Sequence, residues 1–294
     1  MDTVADLPLP SNLVAACRDN GRAKWLARLP EEIKEVVARW SLTLGEPFEP
    51  GGVTAWVAPV TSAEFGDVVL KVAARHMEGQ DEAAGLREWN GDGAVRLFAD
   101  ERISETTTAM LLERCVPGTM LSRSPEEEQD DIIAGLLQRL WRIPSDTASF
   151  RPLQEMCDFW ADSFERKLAE GRGDRIDPGL ARDGAALFRT LPSSAPDERL
   201  LCTDLHAENV LASQRERWLV IDPKPFVGDP TYDALQHCLN SEHRLRADPR
   251  GLAIRLAGLL ELDAEHLLRW LFAYCVVQSV DFPWTLEVAR RIRP

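Results

Sequence analysis

What this chain lacks narrows it first. Its six cysteines, at 17, 115, 157, 202, 238 and 275, include no C-x-x-C pair, and the five histidines complete no zinc pattern with them. Isolated reduced thiols fit a cytoplasmic protein, which is the expectation. Basic residues are in deficit: 34 Lys and Arg face 48 Asp and Glu, a formal net charge of −14. That balance argues against a nucleic-acid partner, which would require a basic surface to displace counterions. It reads as a solvating acidic surface, compatible with cationic ligands. The opening MDTVADLPLPSNLV has neither the basic start nor the apolar run of an export signal. The most apolar late segment, WLFAYCVVQSV at 270–280, is cut off by Asp281, too short to span a bilayer, and reads as a buried helix. No membrane association is expected. No Walker sequence occurs, and no G-x-G-x-x-G follows a strand to open a helix, which argues against P-loop and dinucleotide-binding folds. Internal repeats and low-complexity tracts are absent too.

What is there is an ordinary globular composition over 294 residues, long enough for one large domain or two lobes. Residues 11–20 and 30–41 read as helices. Pro30 suits a first turn, and Ile33, Val36, Val37 and Trp40 recur at helical spacing. VTAWVAPV (53–60) and DVVLKVA (67–73) are rich in β-branched and aromatic residues and read as paired strands. DEAAGLREW (81–89) returns to helical periodicity, and TTAMLLERC (107–115) reads as a further strand closed by Pro117-Gly118. Ser124-Pro125-Glu126-Glu127 then predicts an N-cap, a first-turn proline and a capping-box glutamate. Ile132, Ile133, Leu136, Leu137, Leu140 and Trp141 supply the apolar face of that helix. The acidic run Glu126–Asp131 is read as charge complementing the helix dipole. Residues 152–169 read as a helix, Gly171 to Pro178 as a loop, and 251–293 as at least two more helices.

One stretch carries chemistry. Residues 201–233 read LCTDLHAENVLASQRERWLVIDPKPFVGDPTYD. Asp204 stands five residues before Asn209, and an apolar strand then ends in Asp222. A base, an uncharged oxygen ligand and a second carboxylate are what phosphoryl transfer from Mg-ATP requires. Each residue alone is an ordinary turn former; the joint spacing is specific. Asp204 could accept the proton of an attacking hydroxyl, while Asn209 and Asp222 could offer oxygens to Mg2+.

This segment resembles the aminoglycoside phosphotransferases, which share the protein-kinase fold. IDPKPFVGDPTYD is especially similar to the streptomycin 6-kinase and hydroxyurea phosphotransferase branch. The resemblance runs from about residue 45 to the C-terminus. It implies an α+β, two-lobed fold with a small antiparallel-sheet lobe and a larger, mainly helical lobe; the strand-rich residues 1–115 and the helical residues 116–294 fit these, and a helical extension at about 1–44, which the resemblance does not cover, is compatible with it. It implies ATP and Mg2+ as cofactors and a hydroxylated or cationic small molecule as acceptor.

The same resemblance assigns further parts. Lys71 would contact the α- and β-phosphates, held by Glu82, with Glu78 and Glu88 as alternative partners. On pattern alone Lys71 would simply face solvent. Gly51-Gly52 would let backbone amides approach phosphate, although a glycine pair is equally a turn. MLLERCVPG (110–118) takes the place of the interlobe hinge, where adenine would meet backbone groups near Glu113 and Cys115. Asp229 and Asp233 of GDPTYD are expected to cap a helix and brace the loop. His206 is expected to support the loop. Lys224 reads equally as a phosphate contact or a surface lysine.

One departure stands out: the family usually reads His-Gly-Asp where this chain has Cys202-Thr203-Asp204. A nucleotide-binding pseudokinase is therefore the alternative to a small-molecule kinase acting on streptomycin, hydroxyurea or an amino sugar. Cys202 has no paired base that would make it a nucleophile. The short span from Asp222 to GDPTYD leaves no room for a long activation segment, against a kinase acting on protein. Acceptor contacts could come from Glu155, Asp158, Asp162 and Asp281, or from Trp160, Trp270 and Trp284, although acidic faces and core tryptophans describe these residues better.

Overall fold

β-branched residues in alternation build the first part of the chain. The structure is a computed structural model describing residues 7–195 and 197–294. Two helices, α1 (Ser11–Asp19) and α2 (Ala23–Arg39), precede β1 (Leu42–Leu44), β2 (Ala55–Ser62) and β3 (Gly66–Ala74). Then come α3 (Glu82–Trp89), β4 (Leu97–Ser104) and β5 (Thr107–Glu113). The strands form one sheet in the order β1-β2-β3-β5-β4, antiparallel throughout.

Strand alternation divides the two faces of this sheet. Val68, Leu70 and Val72 of β3, with Ala109 and Leu111 of β5, pack against Leu13 of α1 and Trp25, Leu29, Ile33 and Val36 of α2. Met110 and Leu112 turn the other way and join the core of the helical part with Leu86 and Trp89 of α3. Lys71, out of phase with Leu70 and Val72, belongs to this second face.

Two readings need correction here. α2 starts at Ala23, so Pro30 lies inside the helix and not in its first turn. Burying a large apolar side chain is worth about 1.5–3 kcal/mol. A seam of Trp25, Leu29, Ile33 and Val36 thus outweighs the roughly 3 kcal/mol that an internal proline costs. β4 was not anticipated. Its Ala-Asp-Glu-Arg centre reads as polar loop, and it is an edge strand hydrogen-bonded only to β5.

The remainder is mainly helical. α4 (Glu126–Leu140), α5 (Leu153–Ala169) and α6 (Pro178–Thr190) lead into the short strands β6 (Arg199–Leu201), β7 (Val210–Ala212), β8 (Trp218–Val220) and β9 (Phe226–Gly228). α7 (Thr231–Leu239), α8 (Glu242–Ala247), α9 (Pro249–Leu260), α10 (Ala264–Val277) and α11 (Thr285–Ile292) complete the chain. β6 pairs with β9 and β7 with β8, both antiparallel. α10 is the buried helix expected from its apolar run. Among the described residues, no helix is long and apolar enough to cross a membrane.

α4 begins one residue later than the capping pattern predicted, with Pro125 in the cap position and no side-chain cap. The Ser124 amide is committed to the preceding turn, donating to Leu121 O at 2.8 Å. The acidic run also divides. Glu126–Glu128 sit in the first turn, as dipole charges should, but Asp130 is fully buried. Its carboxylate accepts from Arg244 at 2.7 and 2.9 Å, from Arg255 Nε at 2.7 Å, and meets His237 Nε2 at 2.8 Å. This hub ties α4 to α7, α8 and α9.

Candidate active site

Lys71 projects from β3 into a nest of carboxylates. Its Nζ donates to both Glu82 oxygens at 2.7 Å and to Asp222 Oδ1 at 2.6 Å. The Lys71 and Glu82 side chains are almost wholly buried, whereas that of Asp222 keeps 41% of its surface open. Burial alone would push the Lys71 ammonium down, but Asp222 and Glu82 outweigh it and raise it. Burial in turn lifts the Glu82 carboxyl, against the pull of Lys71. Burial also opposes charge on Asp222, but Lys71 and Lys224 hold it well below the ordinary carboxylate range. The other candidate partners of Lys71 lie elsewhere. Glu78 accepts from Trp160 Nε1 at 3.1 Å, and Glu88 from the amide and hydroxyl of Ser145. α3 can approach because Gly85 has no side chain: a Cβ there would fall 2.3 Å from Pro225 Cγ.

The β7–β8 hairpin, enclosed by the β6–β9 pair, brings the residues of the motif into one place. β6 delivers Cys202, Thr203 and Asp204; a turn through Ala207–Asn209 starts β7; β8 returns to Asp222. Asn209 is fixed by its own backbone, which accepts from Ile221 N at 2.9 Å, and its Nδ2 donates to Asp204 O at 3.0 Å. Thr203 and Asp222 both adopt left-handed backbone conformations, with φ 48° and 52°. Asp233 braces the loop by accepting from Cys202 N at 3.0 Å, Thr203 N at 2.7 Å and Trp141 Nε1 at 2.9 Å. Burial lifts its carboxyl to about 6 despite those donors. Asp229 caps Thr231 and also receives His266 and Trp270 at 2.6 Å each. His206 is half-buried, and burial lowers its pKa.

Lys224 was legible only as an even choice between phosphate and surface. In the fold its Nζ bonds Asp204 Oδ2 and lies 3.6 Å from Asp222 Oδ2, with the side chain 14% exposed. Burial opposes its charge, but Asp222 and Asp204 raise its pKa well above the ordinary lysine value. A sequence signal existed: a lysine locked between Pro223 and Pro225 has little freedom to wander.

Gly51 and Gly52 lie in the loop between β1 and β2. The Gly51 amide donates to Asn12 Oδ1 at 2.9 Å, and the Asn12 amide returns a bond to Gly51 O. A Cβ on Gly51 would fall 2.7 Å from Pro10. At the end of β5, the Glu113 carboxylate is engaged by Arg215 at 2.8 and 3.0 Å and by the Arg96 amide at 3.0 Å. Cys115 follows, half-buried, its thiol pushed up to about 11 by burial.

The acceptor candidates are spoken for to different degrees. Trp270 is fully buried against Phe188 and Tyr232, so it is a core residue. Asp158 and Asp162 pair with Arg189, and Asp281 with Lys167 and Arg172. Glu155 is exposed, Trp284 is half-buried, and Trp160 reaches Glu78.

Comparison with known proteins bears on the family and the fold. A family model described as aminoglycoside/hydroxyurea antibiotic resistance kinase matches residues 39–286. A streptomycin 6-kinase of Streptomyces glaucescens is 35% identical over 227 residues, 77% of this chain and 71% of that one. A hydroxyurea phosphotransferase of Kitasatospora aureofaciens is 34% identical over 293 residues, 96% of this chain and 82% of that one. Among solved structures, aminoglycoside phosphotransferase APH(4)-Ia in complex with ADP and hygromycin B superposes with a TM-score of 0.59 at 15% identity, over 88% of this chain and 96% of that one. The five-stranded sheet, the helical second part and these matches make the fold protein-kinase-like, and the chain belongs to the aminoglycoside/hydroxyurea antibiotic resistance kinase family.

Proposed function

We propose that this protein is an ATP- and Mg2+-dependent kinase that phosphorylates a hydroxyl of an aminoglycoside such as streptomycin. The carrying observation is the cluster of Asp204, Asn209 and Asp222 beside the Lys71–Glu82 pair. Asp204 is the base. It takes the proton of the acceptor hydroxyl as that oxygen bonds to the γ-phosphorus. The bond from γ-phosphorus to the bridging oxygen breaks, and its electron pair leaves with ADP. Lys71, set by Glu82, orients the α- and β-phosphates.

The residues fit a metal. Asn209 spends its Nδ2 on Asp204 O, and its Oδ1 has no hydrogen-bond donor among the described residues. Asp222 is held ionised and half-open. These two would hold Mg2+, which when bound neutralises charge along the β- and γ-phosphates. Backbone amides at Gly51-Gly52 would approach phosphate, with Gly51 first giving up Asn12, and backbone groups near Glu113 and Cys115 would receive adenine. On this reading residues 1–115 form the nucleotide lobe and 116–294 carry the catalytic loop, metal and acceptor, in a cytoplasmic enzyme with no nucleic-acid partner. The Kitasatospora relative supports hydroxyurea as a second acceptor. The test is mass analysis of streptomycin, hydroxyurea and amino sugars incubated with Mg-ATP. A phosphorylated aminoglycoside is expected; product from hydroxyurea alone would move the assignment there, and no product at all would favour a pseudokinase.

A further inference from the structure

We propose that Lys224 is a catalytic residue whose ammonium contacts the γ-phosphoryl group as it passes to the acceptor. The inference rests on the kinase reading above and adds a residue to it. Its first support is position. Glu82, Lys71, Asp222, Lys224 and Asp204 form a chain of alternating charge, from the lysine that meets the nucleotide to the base. The transferring group must cross between Asp222, beside the metal, and Asp204, beside the acceptor. Lys224 spans that interval. Among the described residues no other lysine or arginine bonds Asp204, and Lys71 is the only other one on Asp222.

The second support is rigidity. The Lys224 amide donates to Cys202 O at 2.8 Å, and its carbonyl accepts from the Thr203 hydroxyl. Pro223 and Pro225 flank it, and Pro225 abuts Gly85 of α3. Such a lysine is not a solvated surface group. The third support is capacity. An ammonium has three donors. Asp204 takes one, and the Asp222 contact, at 3.6 Å, is loose. Once Asp222 serves the metal, Lys224 has donors free for the equatorial oxygens, where a loose transition state spreads its charge.

The experiment uses the full chain with Mg2+, comparing wild type, Lys224→Gln and Lys224→Arg. Titration calorimetry measures ADP and AMP-PNP affinity, and turnover is followed with an acceptor the wild type phosphorylates. Lys224→Gln should bind ADP within about twofold of wild type, bind AMP-PNP about tenfold more weakly, and lose about 10²–10³-fold in kcat with little change in acceptor KM. Lys224→Arg should recover part of the AMP-PNP preference. Equal weakening of ADP and AMP-PNP would make Lys224 a brace only, and unchanged AMP-PNP affinity and kcat would overturn the proposal outright. If the Gln variant does not fold, the AMP-PNP to ADP ratio of Lys224→Arg decides: kept at least in part it supports the proposal, abolished it overturns it. The nucleotide comparison needs no acceptor. A wild type that phosphorylates nothing would sink the aminoglycoside reading, and the binding ratio would still decide this one.

Discussion

The Thr203 hydroxyl donates to the backbone carbonyl of Lys224 across the catalytic loop. This bond bears on one half of the departure from His-Gly, the threonine in place of glycine. A non-glycine residue at the Thr203 backbone angle, φ 48°, costs roughly 1–2 kcal/mol. A partly buried hydrogen bond returns about 1 kcal/mol, and Asp233 holds the amides of both Cys202 and Thr203. Thr203→Val keeps the shape but strands a carbonyl. It should lower stability by about 1–2 kcal/mol in urea titrations, while Thr203→Ser stays near wild type. Equal midpoints for all three would reject the latch.

Removing the base should separate binding from chemistry. Asp204→Asn is expected to lose about 10²–10⁴-fold in kcat with nucleotide affinity nearly unchanged. Steady-state kinetics beside calorimetry would check it, and full turnover would exclude Asp204 as base.

Glu82→Gln leaves Lys71 on Asp222 alone, the carboxylate the metal also needs. KM for ATP should rise about tenfold, the worth of one charge-assisted hydrogen bond, and acceptor KM should hold. An unchanged ATP KM would mean Lys71 is oriented by other contacts.

Asp130 predicts a purely structural effect. Asp130→Ala leaves Arg244 and His237 without their shared carboxylate and should destabilise by about 3 kcal/mol in chemical denaturation. Nucleotide affinity below the transition should be retained; its loss at low denaturant would show that the hub reaches the site.

His76 sets a pH dependence. Burial, with Lys224 and Arg22 nearby, lowers its pKa to about 4. An unfolded histidine titrates near about 6.5. The unfolded chain therefore takes up the proton first as pH falls. The stability at stake is complete above pH ~6.5 and drains away towards pH ~4. In nucleotide- and metal-free protein, His76→Gln should be less acid-sensitive than wild type across that window. Parallel profiles would show that His76 is not buried as a neutral ring.

Much of the site was legible because it is local. Asn209 and Asp222 flank the short β7–β8 hairpin, and Asp204 lies five residues before Asn209, so sequence spacing nearly is geometry. Lys71 was legible only through the family resemblance, since strand pattern alone pointed it to solvent. Lys224 was not, because its grip on Asp204 depends on β9 returning beside β6. Asp130 reads as helix-dipole charge because its three partners lie more than a hundred residues away. Pro30 misled for a related reason: a helix boundary was read from propensity where burial on the sheet decides it. Trp270 is better described as a core tryptophan than as a stacking surface, and its buried indole donates to Asp229.

The family match begins at residue 39, yet Asn12 and Pro10 grip Gly51 from before that point. A chimera that exchanged only the matched region would separate this loop from the side chains that shape it. Grafting experiments between relatives should therefore carry the leading helices along with the sheet, since Asn12 and Pro10 hold the loop from outside it.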